Sequence, residues 1–193
     1  MHRIILTLAV AACSLTAAAQ PDIPSAKQQI TAAVLAAPAD QRAEATVLGY
    51  DPAGKLVTLR EGSNSLICLA DDPTKEGFSA SCYHRDLEPF MQRGRDLKGE
   101  GKSSKEIFEI REAEVKSGRL KMPEQPSTLF VYSAPAESYS AKTGEVTDGS
   151  FRYVVYIAYA TAESTGLPLS PEAPGMPWIM DPGTHRAHIM INP

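Results

Sequence analysis

From Ser25 the chain reads SAKQQITAAVLAAP, and Ala26, Ile30, Ala33, Val34 and Ala37 recur at the spacing of one helix face that Pro38 ends. The small side chains make this a thin face, suited to close packing on something flat. The pattern then changes period. Thr46, Val47 and Leu48 precede YDPAGK, and Leu56, Val57, Thr58 and Leu59 follow it, which predicts a hairpin turning at Pro52–Gly54. A second turn, EGSN at 61–64, leads into a strand that carries Cys68.

After Cys82 the helical period returns. Leu87, Phe90, Met91 and Leu97 lie on one face of a helix starting near Asp86, with Pro89 limiting its first turn. GEGKSS ends it. Ser103 and Glu106 then have capping-box spacing, opening a charged helix with a partial stripe of Ile107, Phe108, Ile110 and Val115 and a stop at Gly118. The last third alternates as strands do. TLFVYSA is one, and FRYVVYIAYAT is apolar on both faces, which predicts a central strand of a covered sheet. Pro168, Pro171, Pro174 and Pro177 mark an irregular wrap before a short terminal strand in AHIMI. The pattern predicts a single α+β domain over 20–193. It combines an antiparallel sheet, an N-terminal helix, two mid-chain helices and a disulfide-stapled hairpin.

Residues 1–19 read differently. MHR, then the apolar IILTLAVAA, then the small residues before Gln20 follow the layout of a secretory signal peptide cleaved after Ala19. VAAC at Val10–Cys13 has the form of a lipobox, so the alternative is lipid anchoring at Cys13. Both routes export the chain, to the periplasm, the envelope or the medium. No later stretch approaches the length of a membrane span. Removing the signal takes only Arg3 from the basic residues, leaving 18 against 23 acidic ones, a net of −5. An acidic chain without a basic cluster excludes nucleic acid as an expected partner. A small molecule or another envelope protein is the expected one.

Export sets the reading of the cysteines. Cys68 and Cys82 are the two left in the mature chain, and exported proteins oxidise their thiols. If they face each other across a hairpin, Leu69 meets Ser81, Ala70 meets Ala80 and Asp71 meets Ser79, with the turn at Asp72–Phe78. A reactive Cys82/His84 pair is the competing reading, but Cys68 would consume its thiol. Asp71, Asp72 and Glu76 carry oxygen ligands, yet Pro73 and Lys75 interrupt the order that calcium loops use.

The histidines hold the alternative chemistry. His185 and His188 are close in sequence, His84 is distant, and Asp86, Glu88 or Asp181 can add a carboxylate, a donor set that suits zinc. On a strand, however, His185 and His188 point to opposite faces, and HExxH is absent. GEGKSS lacks the first glycine of a phosphate loop, because Asp96 stands there, and no GxSxG elbow occurs. Two functions therefore follow. One is a non-enzymatic exported binding or structural protein without a cofactor. The other is a small metal-dependent or histidine-using, hydrolase-like enzyme built on His84, His188 and a nearby carboxylate, with zinc.

REGSNSLICLADDP, a second cysteine shortly after it, and the final HIMI together resemble a set of uncharacterised exported bacterial proteins. The likeness covers Arg60 to Asp86 and His188 to Ile191. It implies that the cysteine loop and the tail belong to one recurring module, and it implies no activity. Residues 100–150 depart from that pattern.

Overall fold

The computed structural model describes residues 23–193, so the signal segment and Cys13 lie outside the described residues. An eight-stranded sheet runs β2 (Leu56–Arg60), β1 (Thr46–Tyr50), β3 (Leu66–Leu69), β4 (Phe78–His84), β5 (Ser127–Ala134), β8 (Ser150–Tyr156), β10 (His188–Ile191), β9 (Trp178–Met180). A small hairpin of β6 (Tyr139–Ser140) and β7 (Glu145–Val146) stands apart. With helices on both faces, the chain is a mixed α+β domain.

Every neighbouring pair in the large sheet is antiparallel except β1 and β3, which are parallel. The β1–β2 hairpin turns where predicted, through a left-handed Gly54. The chain must then cross back from β2 at the sheet edge to the far side of β1. Gly62 makes the crossing: a Cβ there would lie 2.3 Å from the Glu44 carbonyl oxygen and the Thr46 nitrogen. The sheet is antiparallel as expected, with this one parallel pair added by the crossover.

α1 (Ala26–Ala33), extended by a short tight turn to Ala36, lies across the middle of one face. Its first turn carries a full capping box from Ser25 and Gln28. The face it buries is Gln29, Ala32, Ala33, Ala36 and Ala37: Ala33 and Ala37 of the predicted stripe are buried, Ile30 and Val34 are partly buried against the core, Ala26 is exposed, and the centre of the face is turned toward Gln29 and Ala32. Gln29 explains the rotation. Its Nε2 donates to the carbonyls of Pro24 and Tyr50 at 2.8 Å and its Oε1 accepts from Tyr50 N at 2.7 Å, so a buried amide is fully satisfied against the β1 backbone. The alanines let the helix come down onto the disulfide, with the Ala33 carbonyl oxygen 3.5 Å from Cys82 Sγ.

α2 (Glu88–Gly99) and α3 (Ser104–Lys116) cover the opposite face. Leu87, Phe90 and Leu97 are buried as their spacing predicted. The Ser103–Glu106 capping box forms. Arg93 grips Glu114 through Nε at 3.0 Å and Nη2 at 2.9 Å, joining the two helices. β8 is central in strand order but only Val154 is buried on it. Phe151 and Tyr153 line an open cleft with Ala36, Ala37 and Pro38 at the end of the first helical segment, so this face of β8 is only partly covered. The doubly covered strand is β4, where Phe78, Ala80, Cys82 and Tyr83 are all buried.

Candidate functional site

The disulfide hairpin has the register its sequence spacing predicted. Cys68 pairs directly with Cys82 and Leu69 with Ser81, and the two sulfurs are bonded. The strand ladder stops there, but Asp71 continues it by side chain, accepting the Ser79 N–H at 2.8 Å through Oδ1. Asp72 closes the tip. Its Oδ1 takes both the backbone N–H (3.1 Å) and hydroxyl (2.7 Å) of Thr74, and its Oδ2 lies 3.7 Å from the ammonium groups of Lys75 and Lys98. The two adjacent aspartates are thus used in different ways, and with the exposed Glu76 they form no shared calcium cage.

Those uses set their acidity. Burial would raise the Asp72 carboxyl, but the Thr74 hydrogen bonds and the two lysines outweigh it and hold it below the usual value. Asp71 is pushed up, chiefly by burial and by the neighbouring Asp72 charge, against the Ser79 hydrogen bond and the Lys75 charge. Among the described residues no basic side chain forms an ion pair with Asp71. It is a partly buried carboxylate whose neighbour has taken both lysines.

Asp71 opens onto a cleft of about 260 Å³. Gln29 and Ala32 of α1 form one wall, Ala70 and Pro73 of the hairpin a second, and Ala136 and Tyr139 at the entry to β6 the third. The β6–β7 hairpin is fixed over α1 by close approach, since a Cβ on Gly144 would stand 2.8 Å from the Gln28 carbonyl oxygen. The Tyr139 ring packs on Phe78 at 4.7 Å, and burial, then the Asp71 charge, keeps its phenol protonated above the usual range. The lining is apolar apart from Gln29, which is already satisfied, and the Asp71, Lys75 and Glu76 side chains of the hairpin. That composition suits a compact molecule with one polar end.

A larger groove of about 770 Å³ runs between α2 and the β1–β2 hairpin. Several of its polar groups are paired with one another, although Arg95 Nε has no hydrogen-bond partner and Lys55 forms no ion pair among the described residues. Arg95 donates to Glu88 at 2.6 Å and to the Tyr83 hydroxyl at 3.0 Å, and Gln92 donates to Asp96 at 2.6 Å.

The histidines are placed in three separate settings. His84 ends β4, half-exposed, its Nδ1 3.3 Å from the Asp86 nitrogen and 3.4 Å from Asp86 Oδ2. His188 begins β10, with Nδ1 2.6 Å from the Arg186 carbonyl oxygen and its ring against Tyr156. β5 and β8 separate their strands, a distance of about 14 Å at the usual strand spacing. Register adds to this: Tyr83, Leu129, Val154 and Met190 share the face of His188, so His84 points to the other. Of the other predicted carboxylates, Glu88 serves Arg95, and Asp181 Oδ2 accepts from Arg186 Nε at 2.7 Å. Among the described residues no three His, Cys, Asp or Glu side chains come together as a metal-holding group.

His185 has the partner that sequence reasoning did not identify. It is fully buried between Phe90 and Phe108, and Glu112 Oε2 accepts both its backbone N–H at 2.9 Å and its ring Nδ1–H at 2.5 Å. The ring then carries its proton on Nδ1. Lys116 pairs with the other carboxylate oxygen at 2.8 Å. Burial would raise Glu112, but these hydrogen bonds overcome it and lower it to about 2. Burial lowers His185 below its ordinary value, against the pull of Glu112. Beside them Arg111 lies over Phe90 at 3.9 Å, donates to the Phe90 carbonyl at 3.2 Å, and is lowered to about 10 by burial. Gly94 leaves room for it: a Cβ there would be 2.9 Å from Arg111 Nη1. Among the described residues His185 Nε2 is buried without a hydrogen-bond partner. The contact with Glu112 is a clamp that ties the loop before β10 to α3.

Comparison with family models, with curated proteins and with solved structures returns no match. Among the described residues no helix is long and apolar enough to cross a membrane, and a buried disulfide is compatible with an exported protein.

Proposed function

We propose that the chain is exported to the periplasm or the medium and acts there without catalysis, holding a small molecule in the Asp71 cleft. The signal-like residues 1–19 support export, as does a disulfide of the kind that oxidising compartments sustain. Anchoring through Cys13 would be a second form of the same export. The observation that carries the binding role is the cleft: three elements distant in sequence converge on one partly buried carboxylate with apolar walls. The histidines, by contrast, are spent on separate structural contacts.

The test is a fragment screen by amide chemical shifts on the exported, disulfide-intact protein, with metal analysis alongside. Bound fragments are expected to move the amides of Ala70, Gly77 and Tyr139, and Ala136→Trp, at the cleft wall, is expected to abolish those shifts. Fragments that consistently avoid the cleft would overturn the reading. So would stoichiometric zinc that is lost in His84→Ala or His188→Ala, which would favour the histidine-based enzyme instead.

A further inference from the structure

We propose that the ligand of this cleft is a small organic ammonium ion, a primary or secondary amine on a compact hydrocarbon body, with Asp71 as its counter-ion. This rests on the cleft being a binding site and adds the class of molecule it takes.

Three observations lead there. First, Asp71 is a partly buried carboxylate that accepts only backbone hydrogen bonds, from Ser79 and Asp72, and forms no ion pair with a basic side chain among the described residues, while Asp72 beside it holds both Lys75 and Lys98. Holding a charge away from water costs free energy unless an opposite charge compensates it. Inside the protein Lys75 and Lys98 are paired with the neighbouring residue and Lys75 offsets the Asp71 charge only from a distance, so a cation entering the cleft would complete the compensation.

Second, the walls beside Asp71 are hydrocarbon. The side chains of Ala32, Ala70, Pro73 and Ala136 offer no oxygen to a metal ion, and calcium takes six to eight oxygen ligands. One carboxylate and the exposed Glu76 fall well short of that set. An ammonium group needs only one or two acceptors, and its hydrocarbon body gains by leaving water for these walls.

Third, the Tyr139 ring stands in the lining with one side on Phe78. An aromatic ring beside a carboxylate attracts a cation through its electron-rich face and repels an anion. Glu76 at the same wall adds negative charge, and Lys75 is drawn to Asp72. A carboxylate ligand would meet net repulsion here.

The probes are benzylamine, benzyl alcohol and benzoate, which share a ring and differ in charge. They are titrated into the intact exported protein and followed by amide chemical shifts. Benzylamine is expected to shift Asp71, Gly77 and Tyr139, to bind at least tenfold more tightly than benzyl alcohol, and to lose about tenfold in Asp71→Asn. The asparagine keeps an oxygen for Ser79 N, so the hairpin is expected to hold. If that variant does not fold, the pH series on the wild type decides. Affinity rising as the Asp71 carboxyl ionises supports the proposal, and a flat profile overturns it. Equal binding of benzylamine and benzyl alcohol at the cleft overturns the ammonium class while leaving the cleft a binding site. Failure of all three probes to move the cleft amides overturns the class, and if the wider fragment screen also avoids the cleft, the binding role falls with it.

Discussion

Asp71 and Glu112 are both partly buried carboxylates, one under α1 and the other on α3, and their surroundings differ in the way that separates a site from a strut. Glu112 is surrounded by donors: the backbone and ring of His185 and the ammonium of Lys116. Its side chain is only 16% exposed. Asp71 has only backbone donors, a like charge as its sequence neighbour, and a cleft in front of it. Burial acts on both groups in the same direction, and the hydrogen bonds reverse it only at Glu112. A polar group completed by its own fold is architecture. One left incomplete beside open space is where a ligand gains most.

The disulfide lies behind the cleft, so the comparison is broken most severely by removing it. Replacing Cys68 and Cys82 together by alanine is expected to cost about 3 kcal/mol of stability by denaturant unfolding. It should also loosen the 70–79 wall. Next in size is Glu112→Ala, which strips the acceptor from two N–H groups of a fully buried residue. A loss of about 2 kcal/mol is expected, with the loop before β10 exchanging its amide protons faster. A clamp that contributes nothing would leave both unchanged.

The pH dependence of stability separates the two regions further. His185 has a lowered value when folded, so its contribution is complete above its ordinary value of 6.5 and declines as the pH falls below it. Glu112 is likewise lowered, so stability is lost again from its ordinary 4.5 down to about 2. Asp71 has the opposite sign. Its raised value means that protonation on acidification relieves the folded state. Unfolding curves from pH 8 to pH 3 should show a smaller acid loss below the ordinary Glu value in Glu112→Gln than in the wild type, the remainder coming from lowered carboxyls such as Asp72. The smallest expected effect is Asp71→Asn, which should change stability by less than about 0.5 kcal/mol in either direction. A loss as large as that of Glu112→Ala would make Asp71 a strut as well.

Local signals in the sequence led to local structure. The symmetry of Cys68 and Cys82 about the loop gave the hairpin register, Ser103 and Glu106 gave the start of α3, and Pro38 gave the end of the first helix. What escaped was set by contacts distant along the chain. Gln29 lies off the apolar stripe of its helix, and only the β1 backbone 21 residues on makes it a buried residue. The parallel β1–β3 pairing depends on the crossing at Gly62, and the short β6, β7 and β9 carry too few residues to show a period. Glu112 lies 73 residues from His185, with no spacing rule joining them. The cleft was legible only in part. The acidic loop stood out, but its apolar walls come from α1 and residues 136–141, which the fold alone brings to it.

The most direct measurement is the titration of the Asp71 side-chain carboxyl by carbon NMR, with and without saturating benzylamine. In the free protein it should titrate above the ordinary carboxylate range, and with the amine bound its midpoint should move to lower pH, because the ammonium favours the ionised form. A midpoint that benzylamine leaves in place would contradict the account and make the cleft an unfilled feature of the fold.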